Sequence, residues 1–163
     1  MEASSASDAV PAAPAYLAGL LLSGRKVVAV GGGSVHRRRI PKLLAAGARV
    51  TVVAPQLHPD LATLVRDGAL EWRAAEFVES DLDGAWYVLA ATDSAEVNAA
   101  VAAEAERRHT FCVRADRAEL GSAWTPATAA VGDATIGVLT NRDPRRARAL
   151  RDRLLVLLED ADG

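Results

Sequence analysis

The chain has 163 residues, half of them hydrophobic and a quarter charged, with a formal net charge of −2, enough for one domain with its own core and a small appendage. That balance gives no global basic field for nucleic acid or an acidic membrane, and no apolar run approaches the roughly 18–20 residues that cross a bilayer. A single cysteine, Cys112, excludes an intramolecular disulfide and a cysteine-built zinc site; with His36, His58 and His109 scattered, no metal site is expected, and the reducing cytoplasm is the expected compartment.

Residues 1–14 are rich in Ala and Ser and acidic, without the basic and apolar regions of a signal peptide, and read as a disordered extension. From Arg25 short β-branched runs alternate with helical periods. Lys26 to Val30 reads as a buried strand that stops at three glycines. Val35 to Ala46 follows as a helix, with Ile40, Leu43 and Leu44 at helical spacing and Gly47 closing it. Arg49 to Val53 is a second strand, Pro59 to Arg66 a helix, and Leu70 to Arg73 a short third strand. Trp86 to Ala91 is a continuous apolar strand, Ser94 caps a helix to about Arg107, and Thr110 to Val113 is a fifth strand. Continuous apolar strands separated by helices predict a parallel sheet covered on both faces, wound in the Rossmann-like manner.

Beyond Asp116 the character changes. Ala123-Trp124-Thr125, Ala127 to Val131 and Ala134 to Leu139 read as short strands, the last two joined by a turn at Gly132-Asp133. Asp143-Pro144 opens a helix to about Glu159, with Leu150, Leu154, Leu155 and Leu158 as an apolar stripe. This strand pair and helix cannot bury a core alone, so they are expected to pack on the first domain or on a second subunit. The expected division is therefore 1–14, 15–116 and 117–163.

Gly31-Gly32-Gly33-Ser34-Val35-His36 stands where the first strand meets the first helix. Glycines there let backbone approach a pyrophosphate, while free amides at the helix start face its charge. Gly31 and Gly33 fit the dinucleotide fingerprint, but His36 takes the place of its third glycine. The second strand ends Val53-Ala54-Pro55-Gln56, with neither the usual ribose-binding acid nor an adjacent arginine for a 2′-phosphate. This favours NAD, held through backbone contacts and Gln56. The run His36-Arg37-Arg38-Arg39 either faces the phosphates or forms a solvated helix face.

The chain resembles the precorrin-2 dehydrogenase/sirohydrochlorin ferrochelatase family, also found as the N-terminal part of siroheme synthases. The resemblance runs from about Tyr16 to Leu158. It is carried by Tyr16-Leu17-Ala18-Gly19-Leu20, by Gly24 to Gly33, by Leu43 to Ala48 leading into Val50 to Pro55, by Ala90-Ala91-Thr92-Asp93 and Val97-Asn98, and by Phe111-Cys112-Val113, Asp116, Ser122 and Pro126. It implies NAD-dependent oxidation of precorrin-2 to sirohydrochlorin by a homodimer whose interface is built largely from the segment after Asp116. It also implies that Ser34, Val35, Pro55 and Gln56 contact NAD, that Thr92 lies near the nicotinamide end, and that Asp116 is catalytic. Fe²⁺ insertion into the product, again with Asp116, is implied for some members. Asp116 lies just past the fifth strand, where open α/β sheets place ligands, and a carboxylate there can take a proton or hold a pyrrole N–H.

Six arginines (Arg142, Arg145, Arg146, Arg148, Arg151 and Arg153) crowd the start of the last helix. Arg binds carboxylates in a bidentate fork, so Arg142 and Arg145 are candidates for the substrate's carboxylates; a solvated helix face is the alternative. The chain departs from the family at Val113, where Asn is usual, at Arg117, and at Thr140-Asn141-Arg142-Asp143-Pro144, where a Gly-Gly loop is usual. Two other functions fit the same residues: a non-catalytic NAD(H)-binding regulatory module, and a domain appended to a uroporphyrinogen-III methyltransferase.

Overall fold

The computed structural model describes residues 15–140 and 143–159; the expected N-terminal extension lies outside them. Five strands, β1 (Lys26–Val30), β2 (Arg49–Val53), β3 (Glu71–Arg73), β4 (Tyr87–Ala90) and β5 (Phe111–Arg114), form a sheet in the order β3-β2-β1-β4-β5. All its pairings are parallel. Helices α1 (Ser34–Ala45), α2 (Pro59–Arg66) and α3 (Ala95–Arg107) make the crossovers, giving the expected doubly wound Rossmann-like arrangement.

Alternate residues of one strand feed opposite faces, as the strand period of two requires. Val27, Ala29, Val50 and Val52 pack with Ile40 of α1 and Leu61 of α2. Val28, Val30, Val88 and Ala90 pack with Val101 and Ala105 of α3. Central strands buried on both faces explain the unbroken apolar runs in the sequence. Gly47, at φ +77°, closes α1 as expected, and Ser94 caps α3 by accepting from the Val97 amide at 3.2 Å. His109 follows α3 at φ +54°, the left-handed position that often ends a helix. Cys112 is fully buried, and burial pushes its thiol up to about 11, as befits a small apolar core residue.

After the sheet, β6 (Ala127–Val131) and β7 (Ala134–Val138) pair antiparallel around Gly132, and α4 (Pro144–Glu159) packs on both. The Lys42 ammonium of α1 donates to Thr128 Oγ1 at 3.1 Å, and Arg151 of α4 donates to the Thr128 carbonyl at 3.2 Å. The expected strand at Ala123-Trp124-Thr125 is not formed. Those residues run beside the outer edge of β5, where the Ala123 amide donates to the Cys112 carbonyl at 3.1 Å and the Cys112 amide donates to Ser122 Oγ at 2.9 Å. A single backbone bond covers the sheet edge without extending the ladder, and Pro126 follows at once with no amide to give. The apolar stripe of α4 is only partly covered: Ala147 is buried, Leu150 and Leu155 are half-buried, and Leu154 and Leu158 are exposed.

Candidate functional site

A cleft of about 730 Å³ opens over the carboxyl ends of β2, β1 and β4, where the topology reverses and parallel sheets bind ligands. Its floor is the glycine loop. Gly31 has φ +112°, and a Cβ there would stand 2.3 Å from the Ala91 carbonyl oxygen; a Cβ on Gly32 would stand 2.0 Å from that of Gln56. The first two glycines are therefore demanded by neighbouring backbone. Gly33 differs: a Cβ there meets nothing within 4 Å. The open space at Gly33 lies over the start of α1, whose N-cap Gly33 makes no side-chain cap bond, so the first-turn amides around Ser34 and Val35 remain available to an anion.

Three neighbours hold this floor. The Gly31 amide donates to the Val53 carbonyl at 2.9 Å, and the His58 amide to the Gly32 carbonyl at 2.8 Å. Beneath the loop His36, fully buried, sets Nδ1 2.6 Å from the Gly31 carbonyl oxygen. A carbonyl only accepts, so Nδ1 carries the proton. Nε2 is then bare, and it has no partner among the described residues. Burial is the main reason that the imidazole pKa is lowered to about 4. His36 thus fills the place of the fingerprint's third glycine with a neutral ring that pins the loop.

The side-chain run after His36 does not line the cleft. Arg37 pairs with Asp60 of α2 at 3.2 Å, Arg38 is exposed, and Arg39 is half-buried. Pro55, Gln56 and Thr92 do line it, together with Leu57, His58, Glu76, Phe77, Asp93 and Val97. His58 also caps α2, accepting from the Asp60 amide at 3.2 Å. Thr92 is clamped by buried Asn98 of α3: its amide donates to Asn98 Oδ1 at 2.9 Å, and Asn98 Nδ2 donates to its carbonyl at 3.0 Å.

Asp116 stands just beyond β5, outside the residues that line this cleft. It takes a two-pronged bond from Arg114, with Nε to Oδ1 at 3.1 Å and Nη2 to Oδ2 at 2.6 Å. The Arg114 guanidinium, itself nearly buried, holds the carboxyl below the usual carboxylate range. Arg145 is exposed in the first turn of α4, also outside the cleft lining, and its amide donates to Asp143 Oδ1 at 3.1 Å. Arg142 lies outside the described residues.

Sequence reasoning missed Arg114, Asn98, Glu76 and Phe77 as parts of the site. A signal existed for the first: an arginine at the end of an apolar strand, two residues before Asp116, shares a face with it. Nothing local marked Glu76, which reaches the cleft only because β3 lies next to β2.

Comparison with known proteins gives concordant results. A family model described as putative NAD(P)-binding matches residues 19–127. A siroheme synthase of Aeromonas hydrophila is 40% identical over 138 residues, which are 84% of this chain and 30% of that protein; the chain spans about a third of the length of such relatives. A precorrin-2 dehydrogenase of Bacillus subtilis is 30% identical over 139 residues, 85% of each chain. The solved structure of SirC, a precorrin-2 dehydrogenase, superposes with a TM-score of 0.76 at 27% identity, covering 86% of this chain and 69% of its own.

Proposed function

We propose that this chain, which belongs to the putative NAD(P)-binding family and is similar along most of its length to a precorrin-2 dehydrogenase, oxidises precorrin-2 to sirohydrochlorin with NAD. The observation that carries the reading is the glycine loop: Gly33 leaves open space above an uncapped helix start, within a cleft at the switch point of the sheet. The residues present fit a dinucleotide, with Gly31, Gly33, Ser34 and Val35 at the pyrophosphate, Pro55 and Gln56 toward the adenosine, and Thr92 toward the nicotinamide.

NAD, when bound, supplies the hydride acceptor. The protein's share is position and charge. Asn98 fixes the Thr92 backbone at the cleft wall. Asp116, kept anionic by Arg114, offers a fixed acceptor for a pyrrole N–H of the substrate. Because that pairing lowers its basicity, it serves better as an orienting anion than as a strong base.

In this reading residues 15–116 form the dinucleotide-binding domain, and residues 117–163 the dimerisation and substrate-binding segment. Exposed Leu154, Val156, Leu157 and Leu158 on α4 support a homodimer that covers them. Arg142 and Arg145 are assigned to the substrate carboxylates. Among the described residues no helix is long and apolar enough to cross a membrane, and the buried, unpaired Cys112 suits the cytoplasm. Anaerobic incubation with precorrin-2 and NAD, followed by the tetrapyrrole spectrum, tests the proposal. Appearance of sirohydrochlorin supports it, and bound NAD without oxidation would favour a regulatory module. Fe²⁺ added to the same run tests chelation.

A further inference from the structure

The second strand lacks the acid that usually holds the adenosine ribose, yet the cleft does not lack a carboxylate there. β3 lies beside β2 in the sheet, and the chain leaving β3 brings Glu76 and Phe77 into the lining of the same cleft as Pro55 and Gln56, which follow β2. The direction of the dinucleotide follows from the sheet. With phosphates at the α1 start between them, the nicotinamide end must point toward β4, β5 and Asp116, which leaves the adenosine end over β2 and β3. Glu76 therefore stands where a ribose 2′-hydroxyl would come.

The charge pattern supports the same assignment. Among the described residues, no lysine or arginine lines the cleft, whereas two carboxylates, Glu76 and Asp93, do. Arg73, three residues before Glu76 at the end of β3, is already engaged: it pairs with nearly buried Asp81 at 2.5 Å and donates to the Glu76 carbonyl. Both bonds are made by Arg73 Nη2, and Arg73 itself does not line the cleft, so it is not placed to meet a 2′-phosphate there; its bond to the Glu76 backbone fixes the residue that carries the carboxylate. Phe77, half-buried against the α3-side core, gives the adjoining wall an apolar face suited to a purine.

We propose that Glu76, donated by the β3 side, is the specificity-determining residue that selects NAD over NADP, accepting from the ribose 2′-hydroxyl and repelling a 2′-phosphate. The inference rests on the cleft being a dinucleotide site. Its test is calorimetric titration of NAD and of NADP into the full chain and into the Glu76→Gln and Glu76→Arg variants, with thermal melts as a folding control. The wild type is expected to bind NAD at least about tenfold more tightly than NADP, since a carboxylate and a phosphate dianion within several ångströms repel appreciably even near a surface. Glu76→Gln narrows the ratio by weakening NAD and strengthening NADP, and Glu76→Arg inverts it. If NAD binds but folded variants keep the wild-type ratio, this assignment is overturned while the proposed function survives. If neither dinucleotide binds the wild type, both fail together.

Discussion

Substituting the three glycines one at a time separates glycines needed by the fold from the glycine needed by the ligand. Alanine at Gly32 puts Cβ 2.0 Å from the Gln56 carbonyl oxygen. An ordinary contact is well over 3 Å, so backbone must move by about an ångström, an overpacking that costs about 1–3 kcal/mol. At about 2–4 °C per kcal/mol for a domain of this size, the melting temperature drops by roughly 2–12 °C. Alanine at Gly31 adds the left-handed φ of +112° to a 2.3 Å clash and is expected to be worse. Gly33→Ala meets no protein atom and keeps an extended backbone, φ −92° and ψ −166°. The weaker N-cap costs up to about 1 kcal/mol, offset by a similar gain from a stiffer unfolded chain, so melting should stay within about 3 °C of wild type. A pyrophosphate, however, must come within hydrogen-bond distance of these amides, and the new methyl stands in its way. NAD affinity should fall by at least about tenfold, or 1.4 kcal/mol. Calorimetry and thermal melts on the three variants read both quantities. Wild-type NAD affinity in Gly33→Ala, or a Gly32→Ala protein as stable as wild type, would refute the reasoning.

Two further outcomes follow from the buried ionisable groups. His36 has its pKa lowered from 6.5 to about 4 in the fold, so the unfolded chain binds the extra proton first and stability is lost as pH falls from about 6.5 toward 4, by about 3 kcal/mol at most. His36→Asn should flatten that slope in pH-dependent melts, and an unchanged slope would count against a neutral, buried ring. The Arg114–Asp116 pair contributes stability above the unfolded carboxyl value, and the contribution is lost as pH falls through the lowered folded value. Arg114→Met should raise the Asp116 pKa and move the acid limb of turnover upward, which carboxyl NMR titration and pH–rate profiles can check; no movement in either means that Arg114 does not set this charge.

The sheet was legible because central parallel strands must be apolar on both sides, and Val27 to Val30 and Tyr87 to Ala90 carry that pattern openly. The helices were legible from caps such as Ser94 and Gly47. The glycine loop was legible as a phosphate site, but the separate duties of Gly31, Gly32 and Gly33 depend on which backbone passes within 3 Å, and that is set by β2 and β4 far along the chain. Ala123-Trp124-Thr125 has the composition of a strand; its fate was decided by Ser122 and Ala123 bonding across to Cys112 at a sheet edge. Glu76 could not be found from the chain alone, because its place in the cleft follows from strand order rather than spacing. The resemblance singled out Asp116; the spacing of Arg114 hinted at a partner, and the fold shows the two-pronged bond that holds the carboxylate.

The most direct test of the account is the yield of NADH per sirohydrochlorin when the wild-type chain and Asp116→Asn meet precorrin-2 and NAD without oxygen. One NADH per sirohydrochlorin is expected in the wild type, and in Asp116→Asn a loss of both products with NAD binding retained. Wild-type protein that binds NAD yet forms neither product, or an Asp116→Asn variant that turns over at the wild-type rate, would contradict it.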